Sequence, residues 1–182
     1  MLSGQISSSD PSCDDAGEVV QIQRRLHDET QYYDFESANT DADGRFVLAI
    51  DADENAEYVA VAAGHDQCAA ATSDPVTVLV RARVSIRAND KTPRRGSTVR
   101  INGTVGPNHE GSEVHLQRLR RGGGWETVLG DRLERRSRFL FEFEATGPKT
   151  QLYRARWPSQ DDDHEAGNEP GTSRELKLKL HN

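Results

Sequence analysis

Apolar and polar residues alternate along short segments of this chain, a pattern typical of β-strands with one buried face. Within Arg138–Ala145, the side chains of Phe139, Phe141 and Phe143 lie on one face and the intervening residues on the other. Arg174–Leu180 alternates leucine with polar residues in the same way. Clusters of Gly, Asn, Asp and Pro separate such segments, and no window has a convincing helical period. The pattern therefore predicts an all-β chain of short strands joined by turns.

The same series of segments occurs twice along the chain. The matching pairs are Leu2–Ile6 with Ile101–Val105, Val20–Arg24 with Val114–Arg118, Gly44–Ala52 with Ser137–Ala145, and Val76–Val80 with Leu176–Leu180. The offset between partners drifts from 93 to 100 residues, and the drift occurs in loops rich in Pro, Gly and Asp. Because insertions are tolerated best in surface loops, the pattern indicates a tandem duplication.

Each half of the duplicated pattern is long enough for one small β-sandwich. A sandwich of seven strands typically takes about 100 residues, and the chain has 182 residues. Its hydrophobic fraction of 34% suits thin pairs of β-sheets better than one thick core. We therefore expect one domain over residues 1–83 and a second over residues 84–182.

The second half resembles a known family of repeats. The segment VRINGTVGPNHEGSEVHLQRLRRGGGWETV (Val99–Val128) is similar to the bacterial immunoglobulin-like repeats of secreted and cell-surface proteins, especially those of actinobacteria. The matching elements are V-x-I-x-G-x-V, a Pro-led turn, G-x-x-V-x-L-Q-R and G-x-W-x-T-V. The first half matches more loosely, and its TDADGRFVL (Thr40–Leu48) also resembles carboxypeptidase-regulatory-like and prealbumin-like modules. The resemblance implies two tandem immunoglobulin-like β-sandwich domains.

The strand order of that family can be placed on the sequence. It assigns seven strands to the second half: Val84–Arg87, Thr98–Val105, Glu113–Arg120, Trp125–Leu133, Arg138–Ala145, Gln151–Trp157 and Arg174–Leu180. The first half begins at the equivalent of the second of these strands, so its first strand is missing. We expect either that the chain is a fragment of a longer protein or that another subunit supplies the strand. The very short join near Ala82–Val84 predicts a stiff rod.

The first half contains the only two cysteines, Cys13 and Cys68. In an immunoglobulin-like sandwich, the loops that hold them emerge at the same end, so the resemblance predicts a Cys13–Cys68 disulfide. The alternatives are two free surface thiols or a metal site, although no second cysteine pair completes a zinc site. Since disulfides persist in oxidising compartments, this prediction favours an extracellular or cell-surface location.

The net charge of −7 conceals an asymmetry between the halves. Residues 1–83 have 5 Arg and 16 Asp or Glu, for −11, whereas residues 84–182 have 18 Lys or Arg and 14 Asp or Glu, for +4. Head-to-tail attraction and simple solvation both fit this distribution. The N-terminal residues lack the pattern of a signal peptide, and no apolar run is long enough to cross a bilayer.

Two acidic segments are weak candidates for a metal site. Asn39–Phe46 begins like a calcium loop, but position 12 is Ile50 instead of the bidentate Glu, so a plain turn is expected. In the segment Asp161–Glu169, the candidate ligands are Asp161, Asp163 and Glu165. A solvated loop explains such dense like charges better. We therefore expect neither a bound metal nor a cofactor.

Basic residues and one tryptophan suggest a surface for an anionic ligand. The candidate residues are Arg118, Arg120, Arg121, Trp125, Arg135 and Arg136. Several of these arginines would share an exposed sheet face, where a cell-wall polymer or another glycan could bind. Interleaved aromatic residues are nearly absent, which disfavours nucleic-acid binding. The other interpretation of Trp125 is packing at a hairpin end.

The sequence has no recognised catalytic or phosphate-binding motif, so we expect no enzymatic activity. The resemblance implies a structural spacer or adhesive stalk within a longer secreted or cell-surface protein, with neighbouring domains as its partners. One alternative is a ligand-binding module that uses the basic surface. A second alternative is an immunoglobulin-like protein of a virion surface.

Overall fold

The computed structural model describes residues 1–10, 12–13, 15–65, 68–158 and 167–182. The chain divides into two compact units, Met1–Val80 and Arg81–Asn182. Every regular element in the described residues is a β-strand, and each unit is built from two sheets. The predicted fold class, all-β with immunoglobulin-like sandwiches, is confirmed.

The first unit contains seven strands. They are β1 (Leu2–Gln5), β2 (Val19–Leu26), β3 (Tyr33–Asn39), β4 (Arg45–Leu48), β5 (Ala56–Ala62), β6 (Ala71–Thr72) and β7 (Val76–Val78). One sheet consists of β1 and β4. The other has the order β3-β2-β5, and both β6 and β7 pair with the free edge of β5.

The second unit contains nine strands. They are β8 (Arg83–Val84), β9 (Arg87–Ala88), β10 (Thr98–Gly106), β11 (Glu113–Leu119), β12 (Trp125–Arg132), β13 (Arg138–Glu144), β14 (Thr150–Trp157), β15 (Gly171–Thr172) and β16 (Leu176–Lys179). In one sheet β10 pairs with β13 on one edge and with β8 and β9 on the other. The other sheet has the order β12-β11-β14, followed by β15 and β16.

The two units repeat one topology down to the pairing of single residues. Gly4 lies opposite Phe46 in the first unit, and Gly103 lies opposite Phe139 in the second. The larger sheets also correspond, since β3-β2-β5 matches β12-β11-β14 and each is completed by two short strands. Strands with the same alternation and the same turns have therefore folded into the same arrangement.

In each larger sheet, a serine interrupts the last strand, which therefore pairs as two short segments. In the first unit, Ser73 N–H donates to the Ala60 carbonyl at 2.9 Å, and its Oγ accepts the Ala60 N–H at 3.0 Å. In the second unit, Ser173 makes both bonds to Ala155 at 2.9 Å. This detail of the duplication was not among the sequence matches, although Thr-Ser occurs at both places.

The two cores differ in size. Among the described residues, the core of the second unit is a cluster of seventeen buried apolar residues, whereas that of the first unit has five. The five are Val20, Ile22, Phe46, Ala56 and Tyr58. The first unit supplements them with partly buried side chains, so less of its apolar surface is removed from water.

The boundary between the units lies three residues before the predicted one. Ala82 is buried in the core of the second unit, and its N–H donates to the Glu169 carbonyl at 3.0 Å. Arg83 and Val84 then pair with β10. Because Ala82 and Arg83 make their contacts in the second unit, the structure assigns them there, and the sequence-based division after residue 83 was too late.

Candidate functional site

Two of the predicted basic residues are held by one carboxylate at the end of the β11–β12 hairpin. Arg118 donates to Glu126 Oε1 from Nη2 at 2.7 Å, and Arg120 Nε donates to Glu126 Oε2 at 2.9 Å. The Arg118 hydrogen bond, followed by that of Arg120, lowers the pKa of Glu126 below its ordinary value. Glu126 therefore stays ionised at neutral pH and neutralises part of the local positive charge.

Arg121 extends this basic cluster into the hairpin turn. It is exposed, and together with Arg118 and Arg120 it lines an open depression of about 490 Å³ whose other wall includes Pro148 and Gln151. Arg121 has no hydrogen bond or ion pair within the described residues. The depression thus places three guanidinium groups against one carboxylate, and Arg121 is the cation most available to a ligand.

Trp125 lies on the other face of the same sheet. Arg154 stacks its guanidinium group over the indole ring, 4.3 Å from the centroid, and donates from Nε to Gln117 Oε1 at 2.8 Å. Burial, with Arg156 nearby, lowers the pKa of Arg154. One face of the indole is therefore covered by a cation, which supports the packing interpretation of Trp125 over sugar stacking.

Arg135 and Arg136 lie in a third place, the turn between β12 and β13. They border a shallow depression of about 790 Å³ together with Arg83 and Glu110. Arg136 adopts a positive φ of 63°, and its N–H donates to Glu110 Oε2 at 3.3 Å. The six candidate residues are therefore divided among three places, and Arg118, Arg120 and Arg121 are the arginines that lie together. Successive strand residues point to opposite faces, and the turn residues lie beyond the sheet.

The loops before β2 and after β5 in the first unit are joined by a disulfide between Cys13 and Cys68. The Cα atoms are 5.4 Å apart across a sequence separation of 55 residues. Beside it, Cys68 forms two backbone hydrogen bonds with His65, whose Nε2 lies 2.9 Å from Glu18 Oε1. The bond predicted from the family resemblance is thus present, at one end of the first sandwich.

The acidic segment Asn39–Phe46 forms a turn whose central carboxylate is already used. Asp41 Oδ1 accepts the N–H groups of Asp43 and Arg45, both at 2.9 Å. These backbone bonds, that of Arg45 first, lower the pKa of Asp41. No group of three metal-ligating side chains occurs within the described residues. The other candidate ligands, Asp161, Asp163 and Glu165, lie outside the described residues.

The structure also has a groove in the first unit that the sequence analysis did not name. It has a volume of about 370 Å³ and lies between β1 and the edge formed by β6 and β7. Its lining includes the core side chains Val20, Ile22, Phe46 and Tyr58. Within the described residues, the first unit has no strand that corresponds to β8 and β9, and only the paired sheets show which surface this leaves open.

No protein-family model matches this chain, and no curated protein matches it either. Among solved structures, a tetra-tandem repeat in the extending region of a large adhesion protein is similar over 90% of this chain, with 14% identity and a TM-score of 0.41. The chain spans 42% of that structure. The D0-D1 domain of intimin is similar over 97% of this chain and 88% of its own, with 16% identity and a TM-score of 0.35. These TM-scores are low, so the fold assignment rests on the strand pairing itself.

No helix in the described part of the chain is long and apolar enough to cross a membrane.

Proposed function

We propose that the chain is a structural spacer or adhesive stalk segment of a longer secreted or cell-surface protein and has no catalytic role. The observation that supports this most directly is the join between the units. The first unit ends at Val80 and the second begins at Arg81, and Ala82 is already buried in the second core. We take this short join as the basis for a spacer, and the experiment below tests whether it is stiff.

The disulfide supports the proposed location. Disulfides form and persist in oxidising environments and are rare where cytosolic thiols are kept reduced. The Cys13–Cys68 bond closes a loop of 55 residues around most of the first unit. A small sandwich with few buried apolar residues gains much of its stability from such a bond, which suits a protein exposed outside the cell.

The spacer proposal is tested by loosening the join. A six-residue Gly/Ser insertion after Val80 is compared with the native chain and with a control that has the same insertion between Gly122 and Gly123. We expect small-angle scattering to show a broader distribution of interatomic distances for the first insertion only. If the native chain is already as heterogeneous as the Val80 insertion, the join is flexible and the spacer proposal is wrong.

The second candidate function is binding of an anionic polymer in the depression beside Arg118, Arg120 and Arg121. The observation that favours it is the exposed guanidinium group of Arg121, which has no partner among the described residues and lies next to two arginines that share Glu126. Heparin serves as the probe. We expect Arg121→Glu to weaken heparin binding several-fold and to reduce its salt dependence, while Arg174→Glu, which makes the same charge change elsewhere, has a smaller effect. Equal effects would indicate that only net charge matters.

A further inference from the structure

The two units differ at one sheet edge. In the second unit, β10 is paired on both sides, with β13 on one and with β8 and β9 on the other. The equivalent strand of the first unit, β1, pairs with β4 alone within the described residues. The first unit therefore has an unpaired edge where the second unit has a strand.

The backbone of β1 presents hydrogen-bonding groups to this edge. Ile6 N–H donates to the Gly44 carbonyl at 2.9 Å, so Ile6 faces β4. Alternate residues of an antiparallel strand direct their backbone groups to the same neighbour, so the backbone groups of Leu2 and Gly4 also point toward β4. The N–H and C=O groups of Ser3 and Gln5 therefore point away from it. Exposed groups of this kind form a ready template for another strand.

The second unit shows what covers such an edge. Its segment Ala82–Ala88 runs along β10, where Ser85 N–H donates to the Thr104 carbonyl at 2.9 Å. Alternate side chains of this segment point inward, and Ala82 and Ile86 are buried in the core. The segment also lies against the opposite sheet, since a Cβ added to Gly171 would be 2.2 Å from the Ala82 carbonyl oxygen.

The equivalent space in the first unit is the open groove. A Cβ added to Gly103 would lie 2.0 Å from the Ser85 carbonyl oxygen and close to the Phe139 ring, whereas the three atoms nearest to a Cβ added to Gly4 all belong to Phe46. The groove of about 370 Å³ lies between β1 and Ala71–Asp74, the same two edges that Ala82–Val84 bridges in the second unit.

An apolar side chain at the rim of the groove is left exposed to solvent. Val76 is 55% exposed, whereas Leu176, its counterpart in the second unit, is 5% exposed. The floor of the groove is apolar and includes Ile22 and Phe46. The apolar floor and the unpaired edge together define a surface on which binding of an apolar strand would bury apolar area and form backbone hydrogen bonds.

Charge restricts the chemistry of that strand. The first unit, Met1–Val80, has 3 Arg and 16 Asp or Glu, for a net −13. The covering segment of the second unit carries Arg83 and Arg87 at positions between its inward-facing residues. A strand with basic residues at such outward positions would complement the acidic first unit.

We propose that the first unit binds an extended strand of a partner polypeptide, which pairs antiparallel with β1 and lies in the groove. The partner strand has small or branched apolar residues at alternate positions and basic residues between them, as Ala82–Ala88 has in the second unit. Backbone hydrogen bonds to Ser3 and Gln5 supply affinity, and the groove selects the apolar side chains. This inference does not depend on the spacer role.

A synthetic peptide with the sequence of residues 81–89 (RARVSIRAN) tests the proposal on the full chain. Hydrogen exchange is measured by mass spectrometry with and without the peptide. We expect exchange of segments 1–7 and 71–74 to slow by about tenfold or more at saturation, while segments of the second unit are unchanged. A control peptide with the same residues, reordered so that the apolar ones are adjacent, should have no effect. Equal protection by both peptides, or none by either, overturns the proposal.

Variants of the open edge separate strand pairing from other binding. Ser3→Pro removes an N–H that points to the open edge and leaves the bonds to β4, so it should abolish protection, whereas Ser3→Ala should retain it. Val76→Lys places a cation at the groove and should weaken peptide binding at least tenfold. This substitution leaves the β1 backbone unchanged. Normal binding by both Ser3→Pro and Val76→Lys contradicts the proposal. So does protection of segment 1–7 that grows with protein concentration alone, because the edge would then belong to a second copy.

Discussion

The two units share a topology but differ in how completely their sheets cover each other. In the second unit, β8 and β9 close the space between the sheets, and the core contains large buried side chains such as Trp157 and Leu116. In the first unit, that space is open. Among the described residues, the exposed large apolar side chains are Met1, Val19, Tyr33, Val47, Val76 and Leu79 in the first unit and Leu140 in the second. One short strand therefore decides how much apolar surface a sandwich of this size can bury.

The first unit has a covalent cross-link, whereas the second contains no cysteine. Besides the disulfide, Glu57 accepts hydrogen bonds from Arg25 at 2.5 Å and from the Tyr32 hydroxyl at 2.7 Å. The Arg25 bond, followed by that of Tyr32, lowers the pKa of Glu57. Such partly exposed ion pairs add little stability each, so the disulfide is the link whose loss should matter most.

The largest expected effect is loss of this disulfide. Replacement of both Cys13 and Cys68 by serine should destabilise the first unit by roughly 4 kcal/mol, as estimated from the chain entropy of a closed loop of this length. The second unit should be unaffected. Hydrogen exchange of the first unit measures its loss of stability. Tryptophan fluorescence follows the unfolding of the second unit alone, because Trp125 and Trp157 both lie there. A matching shift in the fluorescence transition would show that the units unfold together.

Truncation of one core residue in each unit compares their packing. Ile22 and Leu116 occupy equivalent positions and are both buried, but Ile22 also lines the open groove. We expect Leu116→Ala to cost about 3–5 kcal/mol and Ile22→Ala about 2–3 kcal/mol, because a residue beside existing space loses fewer contacts. Both free energies of unfolding are measured in urea, with hydrogen exchange as the probe for the first unit and fluorescence as the probe for the second. Equal costs would argue that the groove is closed in solution.

A smaller difference is expected at the paired glycines. Gly103→Ala should cost about 1–3 kcal/mol, because the new methyl group meets the backbone of Ser85 as well as the Phe139 ring. Gly4→Ala should cost less, since its nearest neighbour is the Phe46 ring, which lines the groove and has room to move. Thermal unfolding of the two variants measures this order. A greater loss for Gly4→Ala would contradict the open edge.

The smallest expected effect is a pH dependence of the second unit. His109 stacks on Trp157 with ring centroids 4.0 Å apart, and within the described structure its buried Nε2 has no hydrogen-bond partner. Burial lowers the pKa of His109 below 6.5. The unfolded chain therefore binds the proton at higher pH than the folded one, so stability should fall as the pH drops below about 6.5 and level off below the lowered value.

The variant His109→Phe tests this assignment, because it keeps an aromatic ring beside Trp157 but does not titrate. The urea midpoint of the second unit is compared at pH 7.5, 6 and 5 by fluorescence. The native chain should lose stability over this interval and the variant should lose less. An unchanged dependence in the variant would assign the effect to other groups.

The sequence predicted the strands well, but it did not reveal how the candidate basic residues are distributed over the second unit. Alternation and turn residues placed the strands of the second unit within a few residues, because both signals are local. The sheet face on which each basic side chain lies was harder to predict. Arg118 pairs across the sheet with Tyr153, on the core-facing side, whereas Trp125 lies with Gln117 and Arg154 on the other side. A bulge in β12 at Val128, where the pairing shifts between Leu116 and Gln117, contributes to this arrangement, and local alternation does not reveal it.

By itself, the sequence determined the fold class, the duplication and, through a family resemblance, the Cys13–Cys68 bond. Strand period, turn chemistry and repeated spacing are properties of neighbouring residues, so they can be read along the chain. Only the tertiary structure decided which arginines meet Glu126, where the first unit stays open, and that Ala82 belongs to the second core. These features depend on contacts between residues far apart in sequence, and a single missing strand changes them without changing any local pattern.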